Sequence, residues 1–383
     1  MLITPLTRVL QNFWLFGKQQ RMMTNLGMGM PSHFYTRAIL ECKHTSVFDS
    51  PVEAPIHALL KTMLPSCQNA VFTHDHQCAE QNPAFYFIKR FSGLTNENYG
   101  VIANQNKYVL RVSGCLDPDI DRKAEYESMQ LFANQGYAQL PVYFDTSNGN
   151  MLRPYADGKD LHPGLLTGQL NQKIAKFMAD FHHKTFPLPL SMTSLQRMEK
   201  LHHALIERNV KLPENYQNLY EKALIVEHKQ QCLNLPLCVS HNDAHPGNFI
   251  QYPGDKMMLI DFENAAMSYP SWDVSYFGVF ANLDVDAKLK FIDSYFGATK
   301  LEKLITRNNF KNSVIAYMPI VEFHGLLRLL LRAGNPNLLY KPKEIDDWVS
   351  IAVKNTCNAF SAEIIQEALH SLPVEPSFKP SYI

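Results

Sequence analysis

The rhythm of apolar and polar positions changes twice along the chain. Through residues 1–50 no period is sustained, and a Met/Gly stretch (Gly27-Met-Gly-Met-Pro31) with several internal Met residues marks an extension of open role. A short helical pattern over Pro55–Leu64 stops at Pro65. From Phe85 the texture turns strand-like. Phe85–Phe91 reads as a strand and Ser92–Asn98 as a turn, followed by two further strands, Tyr99–Ile102 and Lys107–Val112, joined by a hairpin at Asn104-Gln-Asn106. Asp121–Gln135 sets Ala124, Met129, Leu131 and Phe132 at helical spacing and is closed by Gly136. Leu140–Phe144 and Met151–Tyr155 read as two more strands around the turn Ser147-Asn-Gly149.

Beyond about residue 156 helical spacing dominates, over Gln169–His183, Thr193–Arg208, Asn215–Gln231, Asp286–Tyr295, Leu301–Arg307, Asn312–Ala333 and Ile345–Ser371. One interruption, Cys238–Asp261, breaks this run with Asn, Asp, Gly and Pro between short apolar segments. Pro373–Pro380 reads as an extended tail. The predicted class is α+β: the extension at 1–50, a small antiparallel-sheet unit at 51–156, and a mainly helical unit at 157–383.

A length of 383 residues agrees with two units, since it exceeds what one core usually organises. With 46% hydrophobic and 19% charged residues the chain can bury a large core, which excludes global disorder. Basic and acidic side chains balance at 36 each, so neither nucleic acid nor an anionic membrane is expected as main partner. The seven Cys are scattered without a C-x-x-C pair, the pattern of reduced thiols in a cytoplasmic protein. No uninterrupted apolar run reaches the roughly 18–20 residues of a membrane span. The stretch Val9–Phe16, broken by Gln11 and Asn12 and lacking a small-residue cleavage site, argues against a signal peptide. Oligomeric state is left open.

The interruption carries the chemistry. It reads Ser240-His-Asn-Asp-Ala-His-Pro-Gly-Asn-Phe249, followed by Met257-Met-Leu-Ile-Asp-Phe-Glu263. An Asp, an Asn five positions later and an apolar strand ending in Asp-Phe-Glu form the set that phosphoryl transfer from ATP requires. Asp243 would take the proton of the attacking hydroxyl, and Asn248 and Asp261 would hold Mg²⁺ against the nucleotide phosphates. Each residue alone reads as well as a turn or cap residue; their joint spacing between two apolar segments favours chemistry. The pair His241 and His245 lies on a Gly/Pro loop, a poor frame for zinc.

These motifs resemble the aminoglycoside phosphotransferase and choline kinase superfamily, most closely its bacterial choline (choline/ethanolamine) kinase branch. The resemblance rests on His241-Asn-Asp243 with Asn248, on Ile260-Asp-Phe-Glu263, on Gly93–Tyr99, and on Tyr108-Val-Leu-Arg-Val-Ser-Gly114. It covers roughly residues 85–335. It implies a bilobal protein-kinase-like fold, with a small sheet N-lobe and a larger helical C-lobe, and ATP and Mg²⁺ as cofactors. Gly93, Leu94, Thr95 and Asn96 would belong to the turn that covers the nucleotide phosphates. Arg111 stands where protein kinases place their phosphate-binding Lys, and Glu125 is its expected helix partner, with Glu127 as the alternative. Pro154 and Tyr155, in Met151–Gly158, resemble the connector whose backbone binds adenine. Asp273 would prop the catalytic loop, and His182 reads as structural.

The resemblance points next to the acceptor. A quaternary ammonium is held by aromatic faces and a carboxylate, each cation–π contact contributing about 0.5–2 kcal/mol. Tyr276 and Phe277 would supply aromatic faces, Glu263 and Glu322 anions, and Phe323 a further ring beside Asp243. Choline kinases draw Trp residues from a late helix; here Leu326, Leu327 and Leu329 stand in the matching stretch, and Arg328 lies close to Glu322 in sequence. The expected substrate is a small amino alcohol, choline first. Ethanolamine, thiamine, a sugar, an aminoglycoside or a homoserine-like alcohol are alternatives, and a nucleotide-binding pseudokinase is the reading from another class.

Overall fold

The computed structural model describes residues 54–91, 96–113, 120–334 and 342–373. The extension at 1–50, the candidate phosphate-turn residues Gly93, Leu94 and Thr95, and the tail from residue 374 lie outside them.

Helix α1 (Ala54–Met63) leads into β1 (Val71–Phe72), the short α2 (His76–Gln81), then β2 (Phe85–Phe91), β3 (Asn96–Ala103) and β4 (Asn106–Ser113). Asn104 and Gln105 both take positive φ, 49° and 63°, as a two-residue primed hairpin turn needs. Helix α3 (Arg122–Asn134) follows, started by the Asp121 carboxylate, which accepts from the amides of Lys123 and Ala124 at 3.0 Å. Strands β5 (Tyr143–Phe144) and β6 (Met151–Pro154) complete a six-stranded sheet of order β1-β2-β3-β4-β6-β5. It is antiparallel except at its edge, where β1 runs parallel to β2. Leu60, Val101, Leu110 and Leu152 fill the core between the sheet and α1.

After β7 (Lys159–Asp160) the chain is helical: α4 (Gly168–His182), α5 (Ser194–Glu207) and α6 (Tyr216–Cys232). Short strands β8 (Cys238–Ser240), β9 (Phe249–Gln251), β10 (Met257–Leu259) and β11 (Ala266–Ser268) interrupt it. They form two small ladders, β10-β9-β7 and β11-β8, that hold the catalytic segment at the junction with the sheet. Helices α7 (Pro270–Phe280), α8 (Val285–Gly297), α9 (Arg307–Ala333), α10 (Pro342–Ser361) and α11 (Glu363–Ser371) complete the described chain.

Three expectations change here. Leu301–Arg307 holds only a 3₁₀ turn, Leu301–Lys303, while α9 starts at Arg307 with Thr306 as its cap. The predicted final helix breaks at Ala362 into α10 and α11. Helix α7 was not expected, because its apolar residues point in every direction and give no helical period; it is buried on nearly all sides. Helix α9 is long and apolar enough to cross a membrane, yet 78% of its most apolar window is buried in the protein, as in a core helix. It runs through Pro319, which has no N–H to donate to the Ile315 carbonyl, and Ser275 Oγ donates to the neighbouring Val314 carbonyl at 2.7 Å.

Candidate active site

The catalytic segment hangs from α7. Asp273, fully buried, accepts from the amides of His241 (Oδ2, 2.8 Å) and Asn242 (Oδ1, 2.7 Å). His182 Nε2 donates to the same carboxylate at 3.1 Å, and its Nδ1 lies 2.6 Å from the Tyr295 hydroxyl. Burial opposes charge on this imidazole, but Cys238 and Asp273 outweigh it and push its pKa up to about 10. Sequence reasoning read His182 as structural and Asp273 as the prop of the loop, and the geometry has both. His241 Nε2 donates to the Ile260 carbonyl at 3.0 Å, tying the loop to the strand that carries Asp261. Asn242 and Asp261 hold left-handed backbone, φ 61° and 69°, a conformation that concentrates at working sites.

From this frame Asp243 projects half-buried. Asn248 Nδ2 donates to its carbonyl at 2.8 Å and to its carboxylate at 3.2 Å. With its amide nitrogen so engaged, Asn248 has its carbonyl oxygen left for a cation. Across the loop, the buried Asp261 Oδ1 has no hydrogen bond, and its side chain as a whole is 35% exposed. Two hard oxygens, with nucleotide phosphates and water, suit Mg²⁺. No group of three or more His, Cys, Asp or Glu that could hold a metal occurs among the described residues.

A buried chain of charges lies between the lobes. Arg111, on β4, contacts Glu125 at 2.7 Å and Asp261 at 3.6 Å, and donates through Nε and Nη2 to the Gly149 carbonyl. Glu125 is thus the partner of Arg111; Glu127 instead faces the exposed Lys123 at 3.9 Å. Burial pushes Asp261 and Glu263 above the usual carboxylate range, helped by Asp243 beside the first and Asp261 beside the second, while Arg111 counteracts both. Sequence reasoning missed Arg122, which contacts Glu125 at 2.7 Å and Glu263 at 3.3 Å. The Arg-x-x-Glu spacing at the start of α3 was the available signal.

Between sheet and catalytic strands lies a cleft lined by Met129, Met151, Ala156, Tyr252, Met258 and Ile260, with Arg153 and Asp261. Its walls are apolar enough for a purine, and the buried Tyr252 hydroxyl has no hydrogen-bond partner among the described residues. The connector differs from expectation. Pro154 has no N–H, and the Tyr155 amide donates to the Lys107 carbonyl at 2.9 Å, with its side chain 41% exposed. Ala156, one residue on, is the connector residue that lines the cleft. Asn96, first residue of β3, is buried.

The acceptor side needs more correction. Phe277 is fully buried and stacked on Phe291 at 4.6 Å, and Phe323 is fully buried against Tyr216 at 5.8 Å; both are core. Glu263, paired with Arg122, is not presented to an acceptor. Tyr276 is half-buried in an aromatic row along α7, 5.9 Å from Trp272 and 4.5 Å from Phe280, which continues to His245 at 6.2 Å. The i, i+4 spacing of Trp272, Tyr276 and Phe280 was the sequence signal for this row. Glu322 is half-buried on α9, one turn past Met318, the residue nearest Gly278 of α7. Burial pushes its carboxyl up to about 7 while Lys288 works against the shift. Arg328 donates to Asn264 Oδ1 at 2.9 Å, an oxygen that also accepts from Arg197 at 2.8 Å.

A sheet lobe over a helical lobe, joined where a catalytic loop meets a narrow cleft, is the protein-kinase-like fold. The chain belongs to the choline/ethanolamine kinase family, whose model matches residues 88–319, more than half of it. It is a phosphotransferase acting on an alcohol. Solved structures of the same fold include a choline/ethanolamine kinase family protein from Mesorhizobium loti, 19% identical, covering 74% of this chain and 91% of that one, TM-score 0.61. An ethanolamine kinase from Plasmodium vivax is 17% identical, covering 89% and 96%, TM-score 0.64. Choline kinase LicA from Streptococcus pneumoniae is 18% identical, covering 70% and 93%, TM-score 0.58. No curated protein matches the sequence.

Proposed function

We propose that the protein transfers the γ-phosphoryl group of ATP to the hydroxyl of a small cationic amino alcohol, choline or ethanolamine first. The observation that carries this reading is the Asp243–Asn248 pair facing Asp261 across one loop, with Arg111 beside Asp261. Asp243 accepts the hydroxyl proton as the oxygen attacks, and the Asn248 amide holds its carboxylate in one orientation. Arg111, beside Asp261, would supply positive charge near the transferred phosphate. Mg²⁺ held by Asn248 and Asp261 would neutralise charge on the phosphates when bound. Ala156, Tyr252 and Met258, which line the cleft, would border the purine.

Two features support a cationic acceptor. Tyr276 stands in the aromatic row of α7, and Glu322 is a half-buried carboxylate for which a cation offsets the cost of burial. A second reading, an amino alcohol that also bears a carboxylate, is favoured by Arg197 and Arg328 converging on Asn264. ADP release from MgATP, measured with choline, ethanolamine, homoserine and a sugar in parallel, separates them. Stimulation by choline or ethanolamine supports the first reading and by homoserine alone the second; equal rates with and without every alcohol would refute both.

A further inference from the structure

We propose that Arg122 and Glu263 form a clasp between the two lobes that seats the metal-binding segment against α3, with Arg122 a positioning residue for the nucleotide. The inference rests on the phosphotransferase reading and reassigns Glu263 from the acceptor to the nucleotide. One carboxylate, Glu125, joins two arginines: Oε1 meets Arg111 at 2.7 Å and Oε2 meets Arg122 at 2.7 Å. Each arginine then reaches across the cleft, Arg111 to Asp261 at 3.6 Å and Arg122 to Glu263 at 3.3 Å. The two carboxylates reached are two residues apart on one segment, so the sheet lobe grips it at two points.

The surroundings of Arg122 are shaped around this task. Its second amino group donates to Ser113 Oγ of β4 at 3.0 Å. The turn before β6 passes so close that a Cβ on Gly149, itself at φ +82°, would lie 2.4 Å from the Arg122 Nε. The guanidinium thus bonds β4, α3 and the Asp-Phe-Glu segment at once and packs against the Gly149 turn. The side chains of Arg122, Glu125 and Glu263 are 10%, 0% and 6% exposed, so the contact lies in a low-dielectric interior where its geometry is well defined. Backbone movement of Asp261 away from the cleft would strain the Glu263 contact two residues on.

The test is a double-mutant cycle on the full chain: wild type, Arg122→Gln, Glu263→Gln and the double variant. MgADP affinity is read by calorimetry, and initial rates are read with MgATP and acceptor varied separately. Each single change is expected to weaken nucleotide affinity by about tenfold or more, as loss of a group that orients a metal ligand does, with acceptor KM within about twofold. The double variant is expected to be no worse than either single, since the two changes break one contact. A rise in acceptor KM in Glu263→Gln alone, or additive losses in the double variant, would overturn the clasp. If Arg122→Gln fails to fold, Arg122→Lys keeps the charge but not the fork; partial loss of nucleotide affinity supports the clasp, and wild-type affinity refutes it. A wild-type protein that binds no MgADP sinks the phosphotransferase reading and the clasp together. Wild-type binding with unchanged variants sinks the clasp alone.

Discussion

The side-chain amide of Asn248 holds Asp243 twice, through its backbone carbonyl at 2.8 Å and its carboxylate at 3.2 Å. In the proposed reaction the base would thereby be oriented by the same residue that would offer an oxygen to Mg²⁺. Asp243→Ala should lower kcat by about 10²–10⁴-fold, the usual contribution of a general base, with thermal stability little changed. Asn248→Ala should lower kcat and also raise the Mg²⁺ concentration for half-maximal rate. Steady-state rates across a Mg²⁺ titration check both, and full activity in Asp243→Ala would refute the mechanism.

Arg111 makes a different prediction, because it is structural as well as functional. Its replacement by Met leaves Glu125, whose side chain is 0% exposed, with only one of its two guanidinium partners, Arg122 at 2.7 Å. Breaking a buried pair from one side costs about 3–5 kcal/mol when the charge left behind has no other partner, so with Arg122 still in place the loss should be smaller. Urea unfolding should show that loss, and the double variant Arg111→Met, Glu125→Leu should recover part of the stability but none of the activity.

Tyr276 and its neighbour Phe277 should separate cleanly. Tyr276→Ala is expected to raise acceptor KM by roughly 2–30-fold, the range of one cation–π contact, with little effect on stability. Phe277→Ala should destabilise the fold by about 3–5 kcal/mol, as for a fully buried Phe, and leave acceptor KM near wild type. Parallel kinetics and melting of the two variants decide it. A Phe277 variant with a selective KM defect would restore that residue to the acceptor site.

Glu227 gives a pH signature far from the chemistry. It is 1% exposed on α6, and burial pushes its carboxyl up to about 7, although hydrogen bonds from Ser194 and from the Tyr317 hydroxyl at 3.2 Å oppose the shift. The folded protein therefore holds this proton more tightly than the unfolded chain does. Stability is full below the unfolded carboxylate pKa, falls as pH rises toward 7 and is level above it. Glu227→Gln removes the titration, and should add about 3 kcal/mol at pH 8 while changing little near pH 4. Denaturant midpoints at the two pH values test this, and an equal effect at both would refute it.

Local motifs were legible in the sequence and long-range pairings were not. Asp243, Asn248 and Asp261 lie within a segment short enough for spacing alone to suggest their roles, and Asn104-Gln-Asn106 showed itself as a hairpin turn. Phe277 was misplaced because a helix turns about 100° per residue, so the neighbour of a cleft-side Tyr faces the core. Helix α7 itself was hidden by being apolar all round. The contact between Arg122 and Glu263 spans 141 residues, and nothing in the local pattern of either residue names the other.

Helix α7 has one further consequence. Asp273 fixes the pitch of the catalytic loop, while Trp272 and Tyr276 on the same helix form part of the wall beside it. A change of acceptor written into α7 would therefore disturb the reaction machinery along with selectivity. Helix α9 carries Glu322 and Arg328 and is bonded through Arg328 to Asn264, beyond the catalytic loop. Retargeting of this enzyme, by natural drift or by laboratory selection, should accumulate substitutions on α9 and leave α7 nearly unchanged.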